Sequence, residues 1–346
     1  MTDYTLKVYF VMTSGALERL EAYAKGGYFR RILTSFAYKE IIEKFAQRLG
    51  PEECKKIDVF IDSGAFTVMT QGLVVDIDQY ADYLKSFNSR YKFNTVHAFN
   101  LDVIPKPREQ ELLLGSISDA KLEEAAQGSW DNYLYLTEKK GIDYIVPVFH
   151  YGEDMKWLRK IVESGCSYFA FGGIASRIKS TTMKKDAFDE LFTNLESYGY
   201  KGRVHMLGLC MPDVLCMHGW YSVDAAIIKS AGYGRIYLFD ENTREKVKVV
   251  PVSPVRSGAA NVQDSARMAE ALGQEDYLKS QLKVIGMGDV SIKDLGNPEK
   301  GYWLRVEACF RSWSMFEDWL NAERRRLGKF AVYDVAHQSL FDDILK

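Results

Sequence analysis

Short apolar runs alternate with longer amphipathic stretches along this chain up to residue 225. Eight of these runs are rich in β-branched and aromatic residues, a composition typical of strands that are buried on both faces. The runs are KVYFVM (7–12), RILTSF (31–36), DVFIDSG (58–64), TVHAFNLDV (95–103), YIVPVFHYG (144–152), YFAFGGI (168–174), RVHMLGLC (203–210) and WYSVDA (220–225). The stretches between them carry apolar residues at the spacing of one helix face, as Ile41, Ile42 and Phe45 do. The alternation predicts parallel βα units.

The number of strand-like runs predicts how the sheet is completed. Eight parallel strands close into a TIM (β/α)8 barrel, which we predict for residues 1–234. An open, doubly wound sheet is the competing fold, and a Gly-rich phosphate loop after the first strand would favour it. The segment at that position, TSGALERLEAY (13–23), has no G-x-G-x-x-G motif. The barrel is therefore the preferred α/β fold class.

The pattern changes after residue 225. Residues 235–251 (RIYLFDENTREKVKVVP) predict a β-hairpin with Asp240, Glu241 and Asn242 in its turn. Residues 262–273 look helical, and residues 302–327 predict a long amphipathic helix. We therefore expect a C-terminal appended α+β region over residues 235–346, packed on the barrel.

Composition and charge narrow the classes of function. The 346 residues are 47% hydrophobic and 27% charged, which excludes a disordered or collagen-like chain. The formal net charge of −2 excludes an overall basic field, so contacts with a polyanion need local patches. The apolar stretch at the N-terminus spans about seven residues, which suits a strand rather than a signal peptide or a membrane span. Five scattered cysteines favour a reduced, cytoplasmic compartment.

Polar residues stand where the predicted strands end, and catalytic groups of TIM barrels lie at these ends. The polar residues are Asp62, Ser63, Asp102, His150 and Asp224. Gly172, Gly173 and Leu207 also stand at strand ends, and Phe66 comes just after the third strand. Paired carboxylates suit displacement at an anomeric carbon, where one attacks C1′ and another moves protons. Each residue alone also has a structural interpretation, since an aspartate at a strand end often caps a helix and a lone histidine or phenylalanine suits a core. Three carboxylates at one end of one sheet favour a catalytic site.

Six short motifs occur in an order that resembles the tRNA-guanine transglycosylase superfamily. They are DSGAF (62–66), LDVIP (101–105), VPVFHYG (146–152), FGGIA (171–175), MLGLCMP (206–212) and SVDAA (222–226), one for each strand from the third to the eighth. The resemblance implies a TIM barrel that exchanges bases. The short length and the missing zinc motif resemble most the DNA-modifying branch found in phages and bacterial DNA-modification clusters. That branch exchanges guanine in DNA for a 7-deazaguanine.

The resemblance also implies a role for each matching position. Asp224 matches the family's nucleophile, and Asp62 matches the second catalytic aspartate, which handles the proton of the leaving and incoming bases. Asp102 matches the carboxylate that reads the purine edge, and either His150 or Phe149 stands where the family has a base-reading glutamine. The other implied pocket residues are Ser63 beside Asp62, Phe66 and Leu207 on the two faces of the purine, and Gly172 and Gly173 as backbone contacts.

The zinc site of this family has no counterpart in the sequence. A C-x-C-x-x-C motif and a downstream histidine are needed, and only Cys309 and His337 follow the eighth strand. Cys210, Cys216 and His218 form a C-x5-C-x-H cluster, which we interpret as buried thiols rather than as a metal site. We therefore expect neither a metal nor a cofactor.

Contacts with nucleic acid are expected from three basic patches. Their residues are Lys106, Arg108, Arg177, Lys179, Arg324 and Arg325. The first two patches flank the predicted mouth of the barrel, whereas the arginine run also suits a solvated helix end. The expected partners are DNA and a free 7-deazaguanine base, without a membrane partner, and a homodimer is one alternative for the assembly. The expected location is the cytoplasm, that of the host if a phage encodes the protein.

Three other functions stay open at the level of sequence. The same base exchange can act on tRNA, although no appended RNA-binding domain is recognisable after the barrel. A catalytically silent nucleic-acid-binding subunit is the second alternative, and the presence of both Asp62 and Asp224 argues against it. The third is an unrelated barrel glycosidase or nucleoside hydrolase, whose pocket would favour a sugar over a purine.

Overall fold

The computed structural model describes residues 5–12, 17–65, 75–105, 117–174, 178, 180–243, 245–253, 273, 275–297 and 300–332. The strands in this part of the chain are β1 (Lys7–Val11), β2 (Arg31–Ser35), β3 (Asp58–Asp62), β4 (Thr95–Phe99), β5 (Ile145–Val146), β6 (Val148–His150), β7 (Tyr168–Gly172), β8 (Arg203–Met206), β9 (Ser222–Ala225), β10 (Arg235–Phe239) and β11 (Val247–Pro251). Its α-helices are α1 (Leu17–Lys25), α2 (Lys39–Leu49), α3 (Pro51–Cys54), α4 (Ile77–Tyr91), α5 (Asp119–Leu134), α6 (Met155–Glu163), α7 (Thr181–Ser197), α8 (Pro212–Met217), α9 (Ile227–Gly232), α10 (Glu275–Val284), α11 (Ile292–Gly296) and α12 (Tyr302–Leu327).

Within the described residues, nine parallel strands form one sheet that closes into a barrel. The strand order is β5-β4-β3-β2-β1-β9-β8-β7-β6. The two end members are halves of a single strand that is interrupted at Pro147, a residue without an N–H to donate. The first half pairs with β4 and the second with β7, where the Ala170 N–H donates to the Pro147 carbonyl at 2.9 Å. The predicted barrel is therefore confirmed, and the open sheet is not formed.

Alternate residues of each strand point into the barrel and out toward the helices. In β3, Val59 and Ile61 belong to the outer apolar layer, and Phe60 between them belongs to the interior cluster. The interior cluster contains Tyr9, Leu33, Phe60, Phe99, Val146, Val148, Tyr168, Ala170 and Tyr221. Because side chains of a strand alternate with a period of two, Asp62 also faces inward, two residues beyond Phe60 and at the carboxyl end of the barrel.

Polar caps determine where several barrel helices begin. Asp76, Asp154 and Ser180 each accept a hydrogen bond from a backbone N–H in the first turn of α4, α6 and α7. Each of these helices follows a segment that leaves the carboxyl end of a strand, so these segments surround the same barrel mouth. No helix among the described residues has both the length and the apolar character needed to cross a bilayer.

The C-terminal region lies against the outside of the barrel. The expected hairpin is present as the antiparallel pair β10 and β11, and α12 has the limits expected for the long helix. The Phe310 ring of α12 is 4.8 Å from the Phe10 ring of β1, and Asn321 Oδ1 accepts the Leu6 N–H at 2.6 Å. The helix expected over residues 262–273 lies outside the described residues, apart from residue 273.

Candidate active site

Three carboxyl groups meet at the carboxyl end of the barrel. Asp62 is the last residue of β3, Asp102 lies three residues after β4, and Asp224 lies in β9. The negative charges of Asp102 and Asp224 both act on Asp62, so the three carboxyl groups lie near one another at this end of the barrel. The exposed fractions of Asp102 and Asp224 are 8% and 6%, so both side chains are held away from bulk water. The fold thus brings together the two aspartates to which the sequence assigns the chemistry.

The carboxyl group of Asp62 can exchange a proton near neutral pH. Burial raises its pKa to about 7, and the negative charges of Asp102 and Asp224 act in the same direction. Hydrogen bonds from the Gly64 N–H and the Ser35 side chain lower the pKa in part. Gly64 has a φ of +89°, in the left-handed region that favours glycine, so the turn that aims this N–H at Asp62 needs a residue without a Cβ.

A buried histidine joins Asp102 to a second carboxylate. His150 Nε2 lies 3.0 Å from Asp102 Oδ2, and His150 Nδ1 lies 3.0 Å from Glu153 Oε1. The Ser63 hydroxyl donates to Asp102 Oδ1 at 3.3 Å. Burial by itself lowers the pKa of His150, but the hydrogen bonds and charges of Asp102 and Glu153 raise it to about 10. His150 is therefore a cation at neutral pH, held between two carboxylates.

Asp224 receives two hydrogen bonds on one of its oxygens. The Gly208 N–H donates to Asp224 Oδ1 at 2.6 Å, and His205 Nε2 lies 3.2 Å from the same oxygen. His205 Nδ1 lies 2.6 Å from Ser222 Oγ, which lies 2.5 Å from the Tyr168 hydroxyl oxygen. His205 and Ser222 are fully buried. The carboxylate of Asp224 is therefore the end of a hydrogen-bonded chain that starts inside the barrel.

Two glycines and a leucine lie next to His150. A Cβ at Gly172 would lie 3.3 Å from both His150 Cδ2 and Leu207 Cδ2, so a side chain at this position would require them to move. Gly173 has a φ of +82°, a conformation that other residues rarely adopt. The lack of side chains at these two positions allows a flat ligand to approach the backbone beside His150.

Five of the site residues predicted from the sequence lie outside the described residues. They are Phe66, Lys106, Arg108, Arg177 and Lys179. The stacking role of Phe66 and the nucleic-acid contacts of the four basic residues stay predictions.

The predicted nucleic-acid contact of Arg324 is wrong. The exposed fraction of its side chain is 0%, and its guanidinium donates to four backbone carbonyl groups inside the protein. The acceptors are the carbonyl oxygens of Leu215, His218, Trp220 and Phe330. A guanidinium that is buried and bound in this way cannot reach a phosphate. Arg325 is exposed on α12, and its contact with nucleic acid stays a prediction.

In the cluster of Cys210, Cys216 and His218, the side chains of Cys216 and His218 pack against other residues of the protein. Cys216 is fully buried, and the His218 ring stacks on Phe192 with 4.8 Å between the ring centroids. Burial raises the pKa of the Cys216 thiol to about 12 and lowers the pKa of His218 to about 4. In the described ranges, no group of three or more His, Cys, Asp and Glu residues is placed to hold a metal ion.

Sequence reasoning missed two residues of the site, Glu153 and His205. Glu153 lies three residues after His150 in the turn that follows β6, where its carboxylate reaches back to the ring. His205 lies two residues before Leu207, and the period of two in β8 points both side chains into the barrel. That period was a usable signal for His205, whereas the contact of Glu153 depends on the shape of the turn.

Comparisons with known proteins yield only distant structural likenesses. No family model and no curated protein matches the chain. One similar structure is a 4-hydroxy-2-oxoglutarate aldolase/2-deydro-3-deoxyphosphogluconate aldolase, with a TM-score of 0.35 and 10% identity over 66% of this chain and 86% of that one. Another is described as native KDPGal, with a TM-score of 0.33 and 11% identity over 78% of this chain and 94% of that one. Likenesses of this size carry no argument about chemistry.

Proposed function

We propose that the protein is a transglycosylase that exchanges guanine in DNA for a 7-deazaguanine through a covalent glycosyl-aspartate. The observation that carries this proposal is the proximity of Asp62, Asp102 and Asp224 at the carboxyl end of the barrel, where burial and two like charges raise the pKa of Asp62 to about 7. Carboxyl groups that share a pocket but differ in environment divide the work of catalysis between acid–base and nucleophilic roles. The six ordered motifs support base exchange over other carboxylate chemistry.

In the proposed reaction Asp224 is the nucleophile. Its carboxylate attacks C1′ of the nucleotide, and the guanine leaves with the electron pair of the glycosidic bond while Asp62 supplies a proton. The incoming 7-deazaguanine then gives a proton to Asp62 and attacks C1′, which returns Asp224 to its carboxylate form. Two inversions give net retention of the β-configuration. The pKa of about 7 suits Asp62 to both directions of proton transfer.

Asp102 is the residue that we propose to read the base. His150 and Ser63 orient its carboxylate from two sides, and Gly172 beside it leaves room for a planar ring. A carboxylate fixed in this way accepts N–H groups of a purine edge at a defined angle, which is the basis of selectivity for guanine-like bases. The target base must leave the base stack to reach this site, which costs a few kcal/mol. Contacts such as those of Asp102 with the purine edge must recover this free energy.

DNA is the preferred polymer because the motif order and the missing zinc motif resemble the DNA-modifying branch. To test this choice, the protein is incubated with radiolabelled guanine and, in parallel, duplex DNA, single-stranded DNA and unmodified tRNA. We expect label to enter DNA. Incorporation of label into tRNA alone would show that tRNA is the substrate and would leave the proposed reaction unchanged. Release of free base without incorporation of label would contradict base exchange and indicate a hydrolase. Binding of nucleic acid with neither incorporation nor base release would indicate a catalytically silent subunit.

A matched set of variants connects this activity with the pocket. Asp224→Asn and Asp62→Asn should each lower incorporation by roughly 10³-fold, since each removes a group that the reaction uses directly. Asp58→Asn is the control, because Asp58 begins the same strand that Asp62 ends and is 7% exposed. It binds Asn94 and Lys7 at the opposite end of the barrel, so incorporation should persist in that variant. Equal losses in all three variants would indicate damage to the fold instead.

A further inference from the structure

Polar side chains form a continuous chain through the barrel interior beneath the pocket. The chain runs from Tyr168 through Ser222 and His205 to Asp224, with successive distances of 2.5, 2.6 and 3.2 Å. The exposed fractions are 0% for His205 and Ser222 and 7% for Tyr168. The interior of a TIM barrel is ordinarily filled by branched apolar residues, so a buried polar chain that ends on a pocket carboxylate indicates a role in the chemistry.

The chemistry of the end groups determines the direction of each hydrogen bond. Because a carboxylate oxygen can only accept, His205 Nε2 carries the proton that it donates to Asp224 Oδ1, and Nδ1 then serves as an acceptor. The Ser222 hydroxyl then donates to His205 Nδ1. With its own proton directed at Nδ1, Ser222 Oγ accepts the hydrogen bond of the Tyr168 hydroxyl. The chain thus selects one tautomer of His205.

The two oxygens of Asp224 have unequal surroundings. Oδ1 accepts the Gly208 N–H and faces His205 Nε2. No residue in the described part of the chain donates to Oδ2. An oxygen with two donors is fixed and partly neutralised, whereas one without donors keeps its lone pairs available to an electrophile. The side chain is therefore oriented with one oxygen held and the other free to react.

We infer that His205 is a positioning residue for the nucleophile: together with Gly208 it holds Oδ1, so that Oδ2 attacks C1′ and is later released. This inference rests on the proposed base exchange and adds to it a residue and a reacting atom. Tyr168 and Ser222 act through His205 by keeping its proton on Nε2. None of these three side chains touches the nucleotide.

The hydrogen bonds to Oδ1 matter most when the covalent intermediate breaks down. In the first displacement an electron pair of Oδ2 forms the bond to C1′, and the bond from C1′ to guanine breaks toward the protonated base. In the second, the incoming base bonds to C1′ and the electron pair of the C1′–Oδ2 bond returns to Asp224. Donors at Oδ1 stabilise the charged carboxylate more than the neutral ester. His205 therefore favours release, and without it the covalent intermediate accumulates.

Kinetics of the full-length His205→Leu variant test this inference. We expect the kcat of labelled-guanine exchange to fall about 10- to 100-fold, the effect of one hydrogen bond to a charged group. The KM for free guanine should stay near the wild-type value. The fraction of enzyme in covalent adduct with DNA, measured on denaturing gels, should rise above that of the wild type. His205→Gln should restore most of the rate, because its amide N–H can donate to Oδ1, and Ser222→Ala should show the same defect in weaker form.

His97→Leu is the matched control. His97 also lies in the barrel and packs on the rings of Phe60 and Tyr168 at 5.5 and 5.2 Å. This variant should keep the wild-type adduct fraction. A wild-type kcat in His205→Leu, or loss of both exchange and adduct in a folded variant, would overturn the inference alone. Failure of the wild type to exchange bases in any polymer would overturn the proposed function and the inference together.

Discussion

At the scale of single residues, the pocket carboxylates differ because of their neighbours. Asp224 accepts two hydrogen bonds on one oxygen, and Asp102 faces the cationic His150. Asp62 is half-buried near both negative charges, and the hydrogen bonds that it accepts offset their effect on its pKa only in part. The pKa of Asp62 is therefore raised, and this carboxyl group can hold a proton near neutral pH. In the proposed reaction, this difference in surroundings assigns proton transfer to Asp62 and nucleophilic attack to Asp224.

The pH dependence of base release should report on Asp62. Its carboxyl group has a pKa of about 7, and in the proposed reaction it must be protonated to help guanine leave. We expect the single-turnover rate of guanine release to fall about tenfold for each pH unit above that value. The residual rate of Asp62→Asn should lack this dependence. A wild-type profile that is flat from about pH 6 to 9 would contradict the assignment.

Asp62 should also make the folded protein less stable at high pH. Because its pKa rises from 3.8 to about 7 on folding, the folded state binds more protons in this interval and loses stability as the pH increases through it. We expect Asp62→Asn to raise the free energy of unfolding at pH 8 by roughly 1–4 kcal/mol, with little effect at pH 4. Urea denaturation at both pH values measures this difference. The same change at both values would refute it.

His150 should stabilise the fold at acidic and neutral pH. Its pKa rises from 6.5 to about 10 on folding, so its stabilisation is complete below the lower value and is lost as the pH rises through the upper one. We expect His150→Leu to lower the free energy of unfolding by about 3–5 kcal/mol at pH 6, since two buried carboxylates lose their partner. The loss should shrink near pH 10. A second change, Glu153→Gln, should recover part of it, and a loss independent of pH would contradict the account.

At the scale of elements, α12 shows that the position of a basic residue around the helix decides whether its side chain is buried or exposed. Arg324 and Arg325 are neighbours in sequence, yet one is fully buried and the other exposed. Successive residues of a helix are turned by about 100°, so adjacent side chains face different surroundings. Arg324 faces the loop after α8, whose carbonyl groups it binds. The guanidinium of Arg324 therefore stabilises the fold through these hydrogen bonds.

These two arginines form a natural pair for mutation. Arg324→Met should lower the free energy of unfolding by about 3 kcal/mol or more, because four buried carbonyl groups lose their donor. Arg325→Ala should change it by less than about 0.5 kcal/mol. Chemical denaturation at one pH measures both values. Similar effects of the two substitutions would contradict the difference in burial.

At the scale of the whole molecule, the C-terminal region covers part of the barrel. Phe310 packs on the outward-facing Phe10 of β1, and Glu317 accepts the Val8 N–H at 2.8 Å. Asn321 Nδ2 also donates to the Leu6 carbonyl at 3.0 Å. Without α12 these apolar and backbone groups of the first strand would face water, so we expect the barrel and this helix to form one cooperative unit.

Expression of residues 1–234 alone tests this expectation. The shortened chain should unfold without a cooperative transition and bind a hydrophobic dye, because the outer face of β1 loses its cover. The full chain under the same conditions is the control. A cooperative transition of the fragment, with a midpoint close to that of the full chain, would show that the barrel stands alone and that the region from residue 235 is a separable domain.

The sequence by itself determined the strands, most of the helices and the closed barrel. Each strand-length apolar run and each helical spacing is a local property, and eight such units leave few topologies. The strand ends also marked Asp62, Asp102 and Asp224, because parallel strands bring their carboxyl ends to one edge.

Only the tertiary structure decided how those carboxylates are partnered. The contacts of His205 with Asp224 and of His150 with Asp102, and the burial of Arg324, join residues from different strands and loops. Such contacts depend on distances between segments that are far apart in the chain, and local patterns of polar and apolar residues carry no information about these distances. The protonation of each group follows from the same distances, since burial and neighbouring charges set its pKa.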